Sequence, residues 1–339
     1  AVKYAGTGSE LAITSLDFQP DFVWIKSTDA TTNHFIYDVV RGVTKSAAIE
    51  SCPAQSTDAQ TLKSFNSNGF TLGTDTNVNN SGANYVALCW RAGNSASTVS
   101  GGMTKTSDSS TTDIERSVNA TAGFSIISFT GNGSASTLQH GLGVKPAMYW
   151  LRRLDTAAAW MVWHRDMSNP DRRYLVLNND SDPDANIFSD LRQWGSLPTT
   201  SVLGVGTHIY SNPSSQPVIC HAWSEVEGHS SFGKYSGNGN ATDGAFVYTG
   251  FKPFFILIRD LTSTGNWRMY DNARSTYNDA DAYLRANTLE VEGTSGGAIS
   301  IFSNGFKIRN SDSECNASGE TYLYACWAES AFSSNNRAR

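Results

Sequence analysis

Apolar residues in this chain gather in short runs bounded by turn-forming residues, and three of these runs are built alike. Pro20-Asp-Phe-Val-Trp-Ile-Lys26, Pro146-Ala-Met-Tyr-Trp-Leu-Arg152 and Pro253-Phe-Phe-Ile-Leu-Ile-Arg259 each open on a proline and close on a cation. Their β-branched and aromatic side chains fit buried strands. A proline at the first strand position costs no ladder hydrogen bond. Ser67-Asn-Gly-Phe70 and Ser303-Asn-Gly-Phe306 add a hairpin signal, because Asn and Gly both tolerate positive φ. No helical period persists over ten or more residues, so the pattern predicts an all-β protein.

A longer plan links the same regions. Each opens with an aromatic and a Gly-rich turn: Tyr4-Ala-Gly-Thr-Gly8, Phe129-Thr-Gly-Asn-Gly133 and Tyr235-Ser-Gly-Asn-Gly239. The proline follows 16 to 18 residues later, and 17 residues beyond it stands Tyr37, Trp163 or Tyr270. Each region closes on a run ending in Trp: Tyr85 to Trp90, Val218 to Trp223 and Tyr322 to Trp327. Such spacing predicts three tandem β-sandwich repeats, lectin-like or jelly-roll-like, over residues 1–93, 123–228 and 229–332. Residues 94–122, rich in Ser, Thr and Gly, read as a linker or loosely packed arm, and 333–339 as a flexible tail. The middle copy departs from the plan, with Ser201-Val-Leu-Gly204 where the others have Ser-Asn-Gly-Phe.

Composition works by exclusion. Among 339 residues, 25 Lys and Arg face 31 Asp and Glu, and no basic tract is available to neutralise phosphates, which argues against nucleic acid as a partner. The longest wholly apolar stretch, Phe254 to Ile258, is far short of the roughly 18 residues that suggest a membrane span, so a soluble protein without membrane insertion is expected. No signal peptide is recognisable, and an opening on Ala1 without Met reads as a processed product or a fragment. Cys52, Cys89, Cys220, Cys315 and Cys326 show no C-x-x-C spacing and read as free thiols in separate cores.

Several residues are candidates for chemistry. Asp38 with Arg41 recurs as Asp271 with Arg274, and an Asp and Arg three apart at a strand end most simply form an ion pair that orders the following loop. A clamp on a sugar or on a neighbouring subunit is the alternative, but His164 replaces the Asp in the middle copy, which argues against shared catalysis. The six histidines show no metal-ligand spacing. Asp180, Asp182 and Asp184 place oxygens at alternate positions, like the opening of a calcium loop. Ala185 stands where such a loop needs Gly, so a solvated acidic turn is the preferred reading, calcium the alternative, and no other cofactor is implied.

The aromatics are the better functional lead. Trp160 and Trp163 recur as Trp267 and Tyr270, and residues three apart on a strand face opposite ways. One member of each pair therefore faces away from its own core: burial by a covering loop or neighbouring copy is the preferred reading, and exposure, where it would stack on a sugar ring or anchor a protein interface, the alternative. No G-x-S-x-G elbow, H-E-x-x-H helix or phosphate-cradling loop occurs, so a non-enzymatic protein is expected.

The phrases Gly123-Phe-Ser-Ile-Ile-Ser-Phe-Thr-Gly-Asn-Gly133, His140-Gly-Leu-Gly-Val-Lys-Pro146, Phe232-Gly-Lys-Tyr-Ser-Gly-Asn-Gly239, Ser303-Asn-Gly-Phe-Lys-Ile-Arg309 and Tyr322-Leu-Tyr-Ala-Cys-Trp-Ala-Glu329 resemble a repeated β-domain of tailed-bacteriophage structural proteins, especially marine and cyanobacterial ones. The resemblance touches all three units and implies a structural or adhesion component at the virion surface, such as a tail fibre or a capsid decoration protein. Its implied partners are other virion proteins, further copies of itself in a homo-oligomer such as a trimer, and a host surface glycan. A secreted carbohydrate-active protein, lectin or glycoside hydrolase, is the second reading.

Overall fold

The proline-led runs become strands, but each strand begins two residues after its proline, so the proline sits in the approach and not in the ladder. The computed structural model describes residues 1–181, 192–294 and 296–329. Its first third holds β1 (Val2–Ala5), β2 (Leu11–Ile13), β3 (Phe22–Ser27), β4 (Phe35–Asp38), β5 (Lys45–Ala48), β6 (Ser56–Thr57), β7 (Leu62–Asn66), β8 (Gly69–Leu72), the short helix α1 (Thr76–Asn79) and β9 (Asn84–Trp90). A hairpin of β10 (Ser97–Lys105) and β11 (Thr111–Asn119) follows. The middle third comprises β12 (Phe124–Thr130), β13 (Ser136–Gln139), β14 (Met148–Arg153), β15 (Met161–His164), β16 (Leu175–Val176), β17 (Val202–Val205) and β18 (Pro217–Trp223). The last contains β19 (Ser230–Ser236), β20 (Phe246–Tyr248), β21 (Phe255–Asp260), β22 (Arg268–Asp271), β23 (Leu284–Arg285), β24 (Ile299–Phe302), β25 (Gly305–Ile308) and β26 (Thr321–Trp327).

One strand order occurs three times. The larger sheets run β1-β9-β3-β4-β5, β12-β18-β14-β15-β16 and β19-β26-β21-β22-β23, with β6 extending the first. Register agrees as well: the closing tryptophans Trp90, Trp223 and Trp327 lie opposite Phe22, Met148 and Phe255. Smaller sheets, β2-β8-β7 and β20-β25-β24, pack on the first and last.

The expected linker is instead the β10–β11 hairpin. β11 pairs with β12 at the edge of the middle large sheet and β10 with β13, merging both middle sheets into nine continuous strands. In β11 Ile114 is buried among exposed Thr111 to Asp113 and Glu115, a largely polar strand half in water that a search for strongly apolar runs overlooks. The hairpin glycines need a second correction. The turn residues are Ser67-Asn68 and Ser303-Asn304, and the following Gly69 and Gly305 are first in their strands. A Cβ there would lie 1.8 Å from the Ile13 carbonyl or 2.1 Å from that of Val247, so close backbone approach requires glycine at both.

The cores are not three separate ones. Every residue of β3 and β21 is buried, as it must be when a sheet is covered on both faces. Val23 and Ile25 turn toward Phe70 and Leu72 of the small sheet, and Ile256 and Ile258 toward Phe306 and Ile308. Their neighbours Phe22, Trp24, Phe255 and Leu257 point the other way, into one continuous core that they share with the middle third. Alternation along the strand thus sorts side chains between a local core and a common one.

Cations stitch the thirds together around that core. Arg152 of the middle third donates to the Ala48 and Pro53 carbonyls of the first. Arg259 of the last donates to Ser181 of the middle at 2.5 Å, and Lys26 of the first to Leu289 of the last at 3.3 Å. The contacts run middle to first, last to middle and first to last, and so close on themselves. Among the described residues no helix is long and apolar enough to cross a membrane.

Candidate functional site

The ends of β9, β18 and β26 meet at the centre of the molecule. Trp90, Trp223 and Trp327 form a triangle with ring centroids 5.3 to 6.2 Å apart. Phe255 stacks on Trp327 at 5.5 Å and 16°. The rings meet mostly edge to face, the arrangement that aromatic quadrupoles favour.

A cavity of about 460 Å³ opens beside this cluster, lined by residues from all three thirds. Trp90, Phe124, Phe255 and Trp327 border it as largely buried rings, whereas Asp17, Arg91, Thr121 and Glu329 are exposed side chains along it. His229 and Cys89 also line the cavity. Burial pushes His229 down to about 4, so it is neutral at pH 7, and pushes the Cys89 thiol up to about 12. Burial raises Cys52 to about 11 and Cys315 to about 12, and likewise raises Cys220 and Cys326. All five are free, and none is a thiolate near neutral pH, so none is a ready nucleophile.

All four of the paired aromatics lie inside. Trp160 and Tyr270 are fully buried, and Trp163 and Trp267 are nearly so. Residues three apart do face opposite ways, but neither face of the sheet meets water. Trp160 donates to the Ala48 carbonyl in the first third at 3.1 Å, and Trp267 to Val176 in the middle third at 2.9 Å. Trp163 stacks on Tyr149 at 5.1 Å, and the Tyr270 hydroxyl donates to the Gly297 carbonyl. Trp160 and Trp267 thus tie one third to another, while Trp163 and Tyr270 pack within their own.

Asp38 and Arg41 form an ion pair at 2.5 Å, and Asp271 and Arg274 one at 2.6 Å. Each Asp also accepts from its arginine's own backbone N–H, and each guanidinium donates to a strand carbonyl, Ile36 or Met269. The structure adds His221, whose Nε2 lies 3.2 Å from Asp38 across the seam between thirds. Arg41 and His221 hold the Asp38 carboxyl far below its usual range despite burial. Asp180 lies at the seam with the last third, where its carbonyl accepts from Gly265 N–H, whereas Asp182 and Asp184 fall outside the described residues. Among the described residues no cluster of His, Cys, Asp and Glu is arranged to hold a metal ion.

The seam between first and last thirds carries a titrating pair. Burial pushes the Glu50 carboxyl up to about 8 and the Lys26 ammonium down to about 8, while His34 donates its backbone N–H to Glu50 at 2.9 Å. The neutral carboxyl is the form that the fold accommodates. Its contribution is fully present below the ordinary value of 4.5 and is lost as pH rises through about 8. The substitution Glu50→Gln, which cannot ionise, is expected to leave the melting temperature at pH 4 unchanged and to raise it at pH 9. Equal melting temperatures at pH 9 would show that this seam does not titrate.

One recurring residue escapes a reading by apolar runs. Asn79, Asn212 and Asn316 each stand 11 residues before a closing Trp and are fully buried. Each amide oxygen accepts a backbone N–H of the Gly-rich turn, from Thr7, Asn132 or Asn238, at 2.8 to 3.0 Å. Each amide nitrogen donates to carbonyls of that turn and of a neighbouring loop. A Cβ at Gly6, Gly131 or Gly237 would strike the carbonyl of the residue after the Asn, at 2.1 to 2.3 Å. The turn motif and the Asn are two halves of one clasp, and the constant spacing was the available signal.

A family model described as a domain of unknown function, DUF7483, matches residues 1–331. No curated protein matches the chain. A solved structure titled "Crystal Structure of the STIV MCP" aligns over 70% of this chain and 92% of that one, at 9% identity and a TM-score of 0.16, too low to relate the folds.

Proposed function

The chain belongs to the DUF7483 family, and we propose that it serves as a non-enzymatic structural or adhesion component on the surface of a phage particle, in contact with other virion proteins. The observation that carries this reading is the closure of three similarly ordered sheets around Trp90, Trp223 and Trp327. Read with the phrases that resemble phage structural proteins, it is a threefold arrangement held within one polypeptide. Its interior charges brace loops within each third and, through Arg152, Arg259 and Lys26, tie one third to the next, as expected of a rigid display module.

Immunogold electron microscopy of intact particles, with an antibody against this chain, should place label on the virion. Absence from particles, together with release of reducing sugar from a host polysaccharide, would overturn the reading. One observation favours the second reading, a glycoside hydrolase: the central cavity sets two carboxylates, Asp17 and Glu329, beside Trp90 and Trp327. Both side chains are exposed, however, and neither stands in the buried apolar pocket that a glycosidase acid occupies. The same purified chain is therefore expected to release no reducing sugar.

A further inference from the structure

We propose that the central cavity is a saccharide site for one or two neutral pyranose rings. Its volume of about 460 Å³ falls within the range of small-molecule sites, roughly 300–1,000 Å³. The chemistry of the lining is divided as a sugar is divided. A pyranose has a C–H face that packs on aromatic rings and a rim of hydroxyls that needs donors and acceptors. Trp327 and Phe255, stacked at 5.5 Å, and Trp90, 5.3 Å from Trp327, border the cavity with the small part of each ring left accessible, 4%, 4% and 9%.

Asp17, Arg91, Thr121 and Glu329 supply the second half. Among the described residues their side chains make no hydrogen bond or ion pair, so two carboxylates, a guanidinium and a hydroxyl are available along one opening. Charge narrows the class. Burial lowers the proton affinity of the Ala1 amino group, which also lines the cavity, and His229 is neutral, so the two carboxylates outnumber the one guanidinium and uronic and sulfated sugars are disfavoured. Arg91 disfavours a quaternary ammonium ion in the same space.

The fold also prepares the site. The aromatic border belongs to the shared core and is rigid before any ligand arrives, which lowers the entropy cost of binding. Asp17, Trp90 and Arg91 come from the first third, Phe124 from the middle, and Phe255, Trp327 and Glu329 from the last. The site exists only while the three are closed together. Immediately beyond the closing tryptophans the thirds differ, with Arg91, Ser224 and Ala328, so the cavity is polar and asymmetric where the core is repetitive.

The inference rests on the adhesion part of the proposed function. Tryptophan fluorescence and calorimetry of the whole chain would be followed during titration with methyl glycosides of glucose, galactose and mannose and their disaccharides, with glucuronate and choline as controls. At least one neutral sugar is expected to give saturable binding, with glucuronate and choline at least tenfold weaker. Asp17→Asn and Glu329→Gln should each weaken that binding roughly tenfold, the size expected for loss of a hydrogen bond to a charged group. Thr121→Trp, which fills the opening, should abolish binding, while an unchanged melting temperature confirms that each variant is folded. The proposal is overturned if no neutral sugar saturates, if either control binds as tightly, or if binding survives Thr121→Trp. Particle labelling is scored without sugar. A virion-bound chain that binds no sugar defeats this inference alone, and a sugar-binding chain absent from virions defeats only the particle assignment.

Discussion

Replacing Trp223 by alanine is expected to destabilise the whole molecule by about 3–5 kcal/mol, the usual cost of deleting a fully buried aromatic side chain. The ring touches every third: Trp90 and Phe22 of the first at 6.2 Å, Phe124 and Trp150 of the middle at 4.9 and 4.7 Å, and Trp327 of the last at 6.0 Å. Dense surroundings of this kind relax little around a cavity, which places the substitution toward the upper end of that range. Because one core serves all three sheets, calorimetry should record a single unfolding transition that moves as a whole. Three separate transitions, of which only one shifts, would mean that the thirds are independent domains.

Asn212→Ala should be nearly as damaging, at about 3 kcal/mol, because it strands several buried backbone groups at once. The Asn212 amide nitrogen donates to the Ser134 carbonyl at 2.5 Å and to that of Gly206 at 3.0 Å, while its oxygen accepts the Asn132 N–H at 2.8 Å. Asn212→Asp separates the two roles. It keeps the acceptor but replaces the donor by an oxygen that faces carbonyls, so its carboxyl is stable there only when protonated. Urea denaturation should find Asn212→Asp closer to the parent at pH 4 than at pH 7. An Asp variant as stable as the parent at pH 7 would show that the donor half of the clasp is dispensable.

Residue pattern was informative wherever a strand's environment is local. The runs after Pro20, Pro146 and Pro253 are apolar at most positions and form strands buried along their whole length in two cases, and on all but the last residue of β14. It failed where one face of a strand meets a distant part of the chain. One member of each of the pairs Trp160/Trp163 and Trp267/Tyr270 faces away from its own core, and only the structure shows what covers it: the Trp160 and Trp267 indole N–H groups reach carbonyls 112 and 91 residues away. The β10–β11 hairpin was missed for the opposite reason: its polar outer face dilutes the apolar signal, and only pairing with β12 and β13 makes it a sheet.

Residue order alone therefore determined the β character and the positions of the turns, which follow from backbone sterics and short-range hydrogen bonding, together with the constant spacing of each Asn from its Trp, although the clasp that this Asn makes spans 72 to 80 residues. Tertiary structure decided which face of each strand is inside, that the three sheets share one core, and that Asp17, Arg91 and Glu329 border a cavity beside Trp90 and Trp327. The physical reason is that burial is a property of the assembled surface: a side chain's position in its strand sets its direction, and the partner that closes over it is supplied from far along the chain.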